Sequence, residues 1–177
     1  MKKTILSFGL ISSIILIAFI VGFSIFKWGS AVIGYSAMII AFSFIFVGVR
    51  SFRDKHNGGT IGFGKAFRLG LGIAFIGSTA YVIAWMIDYT WFMPDFMDRY
   101  SALMIKQAQE SGITGSALEQ KIAGINRMKE LYKNPIIVVL YTYLEVLPVG
   151  IVISLLVALI LKRKNRKPAV QPRVAAS

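Results

Sequence analysis

Four long runs of apolar residues alternate with polar stretches along the chain. They cover about residues 4–26, 30–50, 66–92 and 135–161, and the first run contains no charged residue. A helix of about 20 residues is long enough to cross ~30 Å of hydrocarbon. We therefore predict an all-α integral membrane protein with four transmembrane helices in an antiparallel bundle.

The first apolar run lies where a secretory signal would lie, but it is too long for one. The apolar core of a signal has about 7–15 residues and ends in a small-x-small cleavage site. This run ends in Phe26-Lys27-Trp28-Gly29, which is not such a site. We interpret it as an uncleaved first helix, joined to the second by a tight turn at residues 27–29.

Residues 95–134 form a polar connection whose apolar positions recur at helical spacing. Gly112 interrupts the pattern, and Ser116-Ala117-Leu118-Glu119 has the form of a capping box that starts a second helix. We expect two short amphipathic helices that lie on the membrane surface or cap the bundle. The whole would be one membrane domain over residues 1–167, followed by a disordered tail at residues 168–177.

The positive charges indicate an orientation. The formal net charge is +12, and most Lys and Arg residues lie near the N-terminus, between the second and third runs, and after the fourth. The positive-inside rule then places both termini in the cytoplasm and residues 95–134 outside. Basic residues at headgroup depth can also bind anionic lipid headgroups. The candidates are Arg50, Arg53, Lys55, Lys162, Arg163 and Lys164. With the charge explained by the membrane, we expect no nucleic-acid partner.

The sequence lacks the residues that several kinds of catalytic and metal-binding site require. The chain has no Cys and one His, His56, which argues against thiolate catalysis and against metal sites built from sulfur or imidazole. Residues 59–65 match G-x-x-x-x-G-K, but Ala66 stands where a phosphate-binding loop needs Ser or Thr. There is also no HExxH motif. We expect no enzyme, no catalytic residues, no cofactor and no metal.

Two carboxyl groups fall inside the apolar runs. Glu145 lies near the middle of the fourth run, and Asp88 lies near the aromatic end of the third. A carboxyl in the membrane costs at least ~2.5 kcal/mol on insertion scales and is a candidate functional group by default. For Asp88 the alternatives are solvation at the membrane interface, or a place with Glu145 in a proton or cation path.

No Lys or Arg lies at the depth of Glu145. Its carboxyl is therefore either a proton- or cation-binding group, or a protonated acid that is hydrogen-bonded to a hydroxyl or to a backbone carbonyl. Pro148 supports the second reading, because it frees the Leu144 carbonyl from its helical bond. Helical geometry places Glu145 roughly opposite Gly150, so we expect it to face the first or second run rather than the third.

Small residues predict which helices touch. Lipid gives helices little hydrophobic reason to associate, so stripes of small residues mark the places of close approach. The third and fourth runs each carry such a stripe, and we predict that they pack together through Gly70, Ala74 and Ser78 on one side and Gly150, Ser154 and Ala158 on the other.

The order of several motifs resembles a known family. The segments at residues 34–38, 46–55, 58–67 and 147–161 resemble an uncharacterised bacterial membrane family, catalogued as domain of unknown function 4199. The resemblance covers roughly residues 4–165, with Gly62 where we would expect Ser. It implies a small multi-span protein in the inner membrane of Gram-negative bacteria, and it implies no activity.

Two functions follow as hypotheses. The first is a non-enzymatic structural or accessory component of the bacterial envelope, which binds a second copy of itself or another envelope protein. The alternative is a small proton- or cation-coupled transporter or channel subunit that uses Glu145. The environment of Glu145, a water-accessible cavity or a dry helix contact, separates the two.

Overall fold

The computed structural model describes residues 1–26 and 31–162. This part of the chain contains six α-helices and no β-strand, and its helices are α1 (Lys2–Phe26), α2 (Ala31–His56), α3 (Phe63–Ile87), α4 (Phe96–Glu110), α5 (Gly115–Leu131) and α6 (Pro135–Leu161). Four of them, α1, α2, α3 and α6, are long and apolar enough to cross a membrane. The predicted all-α class with four long apolar helices is confirmed.

Some predicted features fall outside the described residues. They are the tight turn at residues 27–29, the tail at residues 168–177, and the candidate lipid-binding residues Arg163 and Lys164.

Helix α2 continues beyond its apolar part. The apolar run was predicted to end near residue 50, whereas the helix ends at His56. Arg50 and Asp54 lie one turn apart with nitrogen and oxygen 3.7 Å from each other, and basic residues in the last turn complement the negative end of the helix dipole. Gly58 and Gly59 then adopt positive φ angles of 60° and 75° and turn the chain toward α3.

Helix α3 is central to the bundle. It packs against α1, α2 and α6, and α2 in turn packs against α1 and α6. The most extensive of these contacts joins α3 to α6. The bundle therefore has α2 and α3 at its centre and α1 and α6 on opposite sides.

The contact between α3 and α6 is made by small residues. A Cβ atom built on Gly70 would lie 3.1 Å from the Ser154 Cβ, and one built on Gly150 would lie 2.7 Å from the Ala74 Cβ. Ser78 and Ala158 are also fully buried. The small side chains let the two backbones approach closely, which increases van der Waals contact between α3 and α6.

Phe42 of α2 fills the space at the centre. Its side chain is fully buried, and its ring lies 3.1 Å from a Cβ built on Gly77 and 3.3 Å from one built on Gly150. One aromatic ring thus packs against glycines of both α3 and α6. The glycines make room for the ring, so the three helices fit together at this level.

Two hydrogen bonds between helices add to the packing. The Ser12 hydroxyl on α1 donates to the Ala41 carbonyl on α2 over 2.9 Å. The Tyr143 hydroxyl on α6 donates to the Thr79 hydroxyl oxygen on α3, also over 2.9 Å. Such bonds in membrane proteins are worth ~0.6 kcal/mol on average, so they fix register more than they supply stability.

Helices α4 and α5 form a hairpin between α3 and α6. They pack against each other, and Lys129 of α5 lies 2.5 Å from Asp98 of α4.

The predicted capping box is wrong, because α5 begins at Gly115 after Thr114 and no side chain caps it. Gly112 and Gly115 have positive φ angles of 76° and 63°, so the turn is complete before Ser116, which is already inside the helix.

The close contact at Gly150 gives a stability prediction. Gly150→Ala should lower the free energy of unfolding by about 1–3 kcal/mol, because the new methyl group meets Ala74. Gly22→Ala on α1 is the control, since nothing lies within 4 Å of its Cβ position. The control should raise stability by up to ~1 kcal/mol through helix propensity. Denaturation with SDS in mixed micelles measures both, and equal effects would contradict the packing.

Candidate functional site

The start of α6 fixes the position of Glu145. The Asn134 side chain accepts a hydrogen bond from the Ile136 N–H over 2.9 Å, and Pro135 occupies the first helical position. Both features are favourable at a helix N-terminus. Glu145 follows ten residues later, ~15 Å along the axis, and so lies well inside the apolar helix.

Glu145 faces outward from the four-helix unit. Its side chain is exposed, and so are Tyr141, Pro148 and Val152, which share its side of α6 at helical spacing. Tyr143 contacts α3 through Thr79, and two residues along an α-helix turn the side chain by ~160° the other way. Glu145 therefore does not share the side of α6 that Tyr143 presents to α3, and it lies at the surface rather than among the fully buried residues.

The carboxyl of Glu145 has no hydrogen bond or ion pair with any other described residue. The adjacent backbone also has an unused acceptor, because Pro148 lies inside α6 and cannot donate to the Leu144 carbonyl. Leu144 itself is 71% exposed. A carboxyl without a partner and a carbonyl without its usual helical donor thus lie next to each other on α6.

Tyr132 connects this face to the α4–α5 hairpin. Its ring lies 5.7 Å from that of Tyr141 and 6.3 Å from that of Tyr89, and its carbonyl accepts a hydrogen bond from the Tyr89 hydroxyl over 3.3 Å. Burial raises the pKa of Tyr132 to about 12. Through its contacts with Tyr89 and Tyr141, Tyr132 joins the segment after α3 to the first turns of α6.

Asp88 is buried rather than solvated. Only 6% of it is exposed, and its Oδ2 atom has no hydrogen-bond partner among the described residues. It begins a five-residue π-helical segment, Asp88–Phe92, that continues α3 and also contacts α1. The structure thus gives the two carboxyls opposite environments, with Asp88 inside the bundle and Glu145 outside.

Aromatic rings surround the end of α3. Trp85 lies edge-to-face with Phe96 at 5.0 Å between ring centres, and 6.4 Å from Phe23 of α1. Tyr89 lies 6.3 Å from both Trp85 and Phe96. This aromatic cluster, Phe23, Trp85, Tyr89 and Phe96, joins α1, α3 and α4 beside Asp88.

The basic residues lie at the opposite end of the bundle. Phe42 contacts Gly150, and α2 and α6 run in the same direction, so the ends of both helices are level. Arg50, Arg53, Lys55 and Lys162 therefore belong to one end. There Lys65 donates to the Asn57 side-chain oxygen over 2.6 Å and lies 5.2 Å from the centre of the Phe52 ring. This lysine is part of the turn, whereas the lysine of a phosphate-binding loop reaches a nucleotide.

Sequence reasoning did not single out Tyr132 or the π-helical segment. Tyr132 was one of several periodic apolar positions in residues 95–134, and its contact with Tyr141 depends on how the hairpin folds back onto α6. The π-helical turn has no composition signal of its own, because Asp88-Tyr89-Thr90-Trp91-Phe92 reads like the end of a membrane helix. No cluster of His, Cys, Asp and Glu that would hold a metal ion occurs within residues 1–26 and 31–162.

Comparison with known proteins gives one match. Residues 7–163 match the family described as "Protein of unknown function (DUF4199)". No curated protein and no solved structure matches the chain.

The raised pKa of Tyr132 gives a prediction at alkaline pH. A tyrosine in an unfolded chain ionises near pH ~10, so the folded state binds this proton more tightly than the unfolded state does. The resulting stabilisation is complete below pH ~10 and is lost as the pH rises through about 12. The wild type should therefore lose stability more steeply than Tyr132→Phe over this range. Unfolding free energies measured at several pH values test this, and parallel curves would contradict it.

Proposed function

Because the chain belongs to the family of unknown function that matches residues 7–163, we propose its role from its geometry alone. The protein is a multi-pass protein of the bacterial inner membrane without enzymatic activity. It acts as a structural or accessory component of the envelope, and it binds a further transmembrane helix through the outer face of α6, the face of Tyr141, Glu145, Pro148 and Val152.

The position of Glu145 carries this proposal. Its exposed carboxyl has no partner in the described chain, and it lies on a helix that is long and apolar enough to cross a membrane. A carboxyl that faces hydrocarbon costs at least ~2.5 kcal/mol, and ionisable groups inside membranes almost always face protein or water. A second helix that covers this face removes the exposure and supplies hydrogen bonds.

The neighbouring groups define what the partner offers. The protonated form of Glu145 donates one hydrogen bond, and the Leu144 carbonyl accepts one because Pro148 cannot donate to it. A partner helix with a hydroxyl or amide side chain at this depth satisfies both groups. Tyr141 and Val152, 37% and 55% exposed, supply apolar contact one turn before Glu145 and two turns after it.

The alternative, a transporter or channel subunit that uses Glu145, has less support. Two cavities, of about 310 and 400 Å³, lie at the hairpin end of the bundle. They are lined by residues such as Tyr89 and Tyr132 in the first and Met97 and Met128 in the second, and Glu145 lines neither. A carboxyl on the outer surface suits assembly better than conduction through the bundle.

The distribution of charge supports the inner-membrane orientation. Arg50, Arg53, Lys55 and Lys162 lie at the end away from the α4–α5 hairpin, where they are available to anionic lipid headgroups. The hairpin instead mixes acids with bases, and three of its ion pairs are Asp95–Arg99, Asp98–Lys129 and Glu130–Lys133. Positive charge therefore concentrates at the end that the positive-inside rule assigns to the cytoplasm.

The orientation is testable with single cysteines, since the natural chain has none. Ser116→Cys in the hairpin should react with a membrane-impermeant maleimide in spheroplasts. Lys55→Cys, at the opposite end, should react only after the membrane is permeabilised. Labelling of Lys55→Cys in intact spheroplasts, with Ser116→Cys protected, would reverse the orientation.

Site-specific photo-crosslinking tests the binding face. A photoreactive amino acid at Tyr141 should form a protein adduct in native membranes, whereas one at Ile14, 66% exposed in the middle of α1, should form none. Adding Glu145→Ala to the Tyr141 probe should reduce the adduct ~5-fold or more, because polar contacts between model membrane helices contribute ~1–2 kcal/mol. Mass spectrometry identifies the partner as a second copy or another protein. Equal yields at Tyr141 and Ile14, or no effect of Glu145→Ala, would reject the proposal.

A further inference from the structure

Asp88 is a buried acid that lacks a partner in the described chain. It is 6% exposed, and its Oδ2 atom is fully enclosed without a hydrogen bond. No described Lys or Arg forms an ion pair with Asp88, and two lysines at the same end of the bundle are engaged elsewhere, Lys129 with Asp98 and Lys133 with Glu130. The aromatic cluster of Phe23, Trp85, Tyr89 and Phe96 adds mainly apolar surface at this end, and the Tyr89 hydroxyl donates to the Tyr132 carbonyl instead. A buried carboxyl in such surroundings needs a compensating group.

Neither protonation state of Asp88 is satisfied by the described residues. A carboxylate there is an unpaired buried charge, which is strongly unfavourable. A protonated acid would need an acceptor for its proton, and no described residue hydrogen-bonds to either oxygen of the Asp88 carboxyl. A cation that coordinates oxygen directly would satisfy the carboxylate form.

The backbone beside Asp88 is also arranged unusually. The chain changes from α-helix to π-helix at this residue, and the Asp88 carbonyl accepts from the Met93 N–H over 2.9 Å, five residues ahead. Single π-helical turns frequently occur at functional sites. The segment is also the C-terminal end of a long helix, where the last carbonyl oxygens lack helical donors and the helix dipole is negative.

We propose that Asp88 and the π-helical turn Asp88–Phe92 form a binding site for one monovalent alkali cation. The carboxylate supplies the negative charge, and carbonyl oxygens at the end of the helix supply neutral ligands. Helix C-termini and interrupted helices coordinate sodium in this way in other membrane proteins. The site would tie the end of α3 to α1, which contacts the same segment.

The charge of the site favours a monovalent over a divalent ion. Divalent cations in proteins usually take several carboxylates, and no group of three His, Cys, Asp or Glu residues that could hold a metal occurs in the described chain. One buried carboxylate balances one positive charge. This inference is independent of the proposed binding face, because Asp88 lies inside the bundle and Glu145 lies outside.

The test uses the full chain in lipid nanodiscs. Radioactive sodium should bind saturably, with one ion per chain, and excess potassium or unlabelled sodium should compete. Replacing choline chloride by sodium chloride at equal ionic strength should raise Tm by about 5 °C or more at saturation. Asp88→Asn should abolish both effects, and Glu145→Gln should keep both.

Each result decides the proposal. Saturable binding that Asp88→Asn removes, in a variant with unchanged helix content, supports the site. Absence of saturable sodium and potassium binding to the wild type overturns it, and this measurement stands even if Asp88→Asn does not fold. Binding that persists in folded Asp88→Asn also overturns it, because the ion would then lie elsewhere. None of these outcomes alters the crosslinking result expected at Tyr141.

Discussion

The close approach of α3 and α6 is the contact on which the rest of the structure depends. Gly70 lies against Ser154 and Gly150 lies against Ala74, so these two helices meet nearly backbone to backbone. In lipid this contact is stabilised by van der Waals attraction rather than by the release of water. It leaves room for the Phe42 ring between Gly77 and Gly150, which brings α2 into the same core. It also places Tyr143 against α3 and leaves Glu145, two residues later, on an exposed side of α6.

That geometry gives the two carboxyls different environments. Asp88 continues the side of α3 that faces its neighbours, and the change to π-helix leaves it enclosed without a partner. Glu145 lies on the exposed side of α6, where Pro148 also leaves the Leu144 carbonyl free. An enclosed carboxyl can be paired only by a ligand small enough to fit within the bundle. An exposed carboxyl can instead be covered by a further helix. Both proposals, the cation site and the binding face, start from the same observation. Each concerns an ionisable side chain whose position is fixed by helix packing in an otherwise apolar bundle.

Much of the architecture is readable from the sequence because lipid imposes simple rules. Apolar runs of sufficient length predicted the four long helices, and the stripes containing Gly70 and Gly150 are the ones that meet in the structure. Features that depend on exact backbone geometry were not predictable in the same way. The start of α5 at Gly115 rather than after Ser116 depends on two glycines with positive φ, and the burial of Asp88 depends on a π-helical turn without a sequence signature. The sequence analysis placed Glu145 toward α1 or α2 rather than α3, whereas its side chain is exposed in the structure.

Disulfide formation between α3 and α6 is the most direct test of this account, since the natural chain has no cysteine that would interfere. The Cβ position of Gly70 lies 3.1 Å from the Ser154 Cβ, so a small separation of the helices reaches the ~3.5–4.5 Å that a disulfide needs. Gly70→Cys combined with Ser154→Cys should therefore form an intramolecular disulfide rapidly in native membranes. Gly70→Cys combined with Leu155→Cys should not, because Leu155 is 41% exposed and lies about 100° around the helix. Equal cross-linking of both pairs, or none with Ser154→Cys, would contradict the packing of α3 on α6 and the outward position of Glu145 that follows from it.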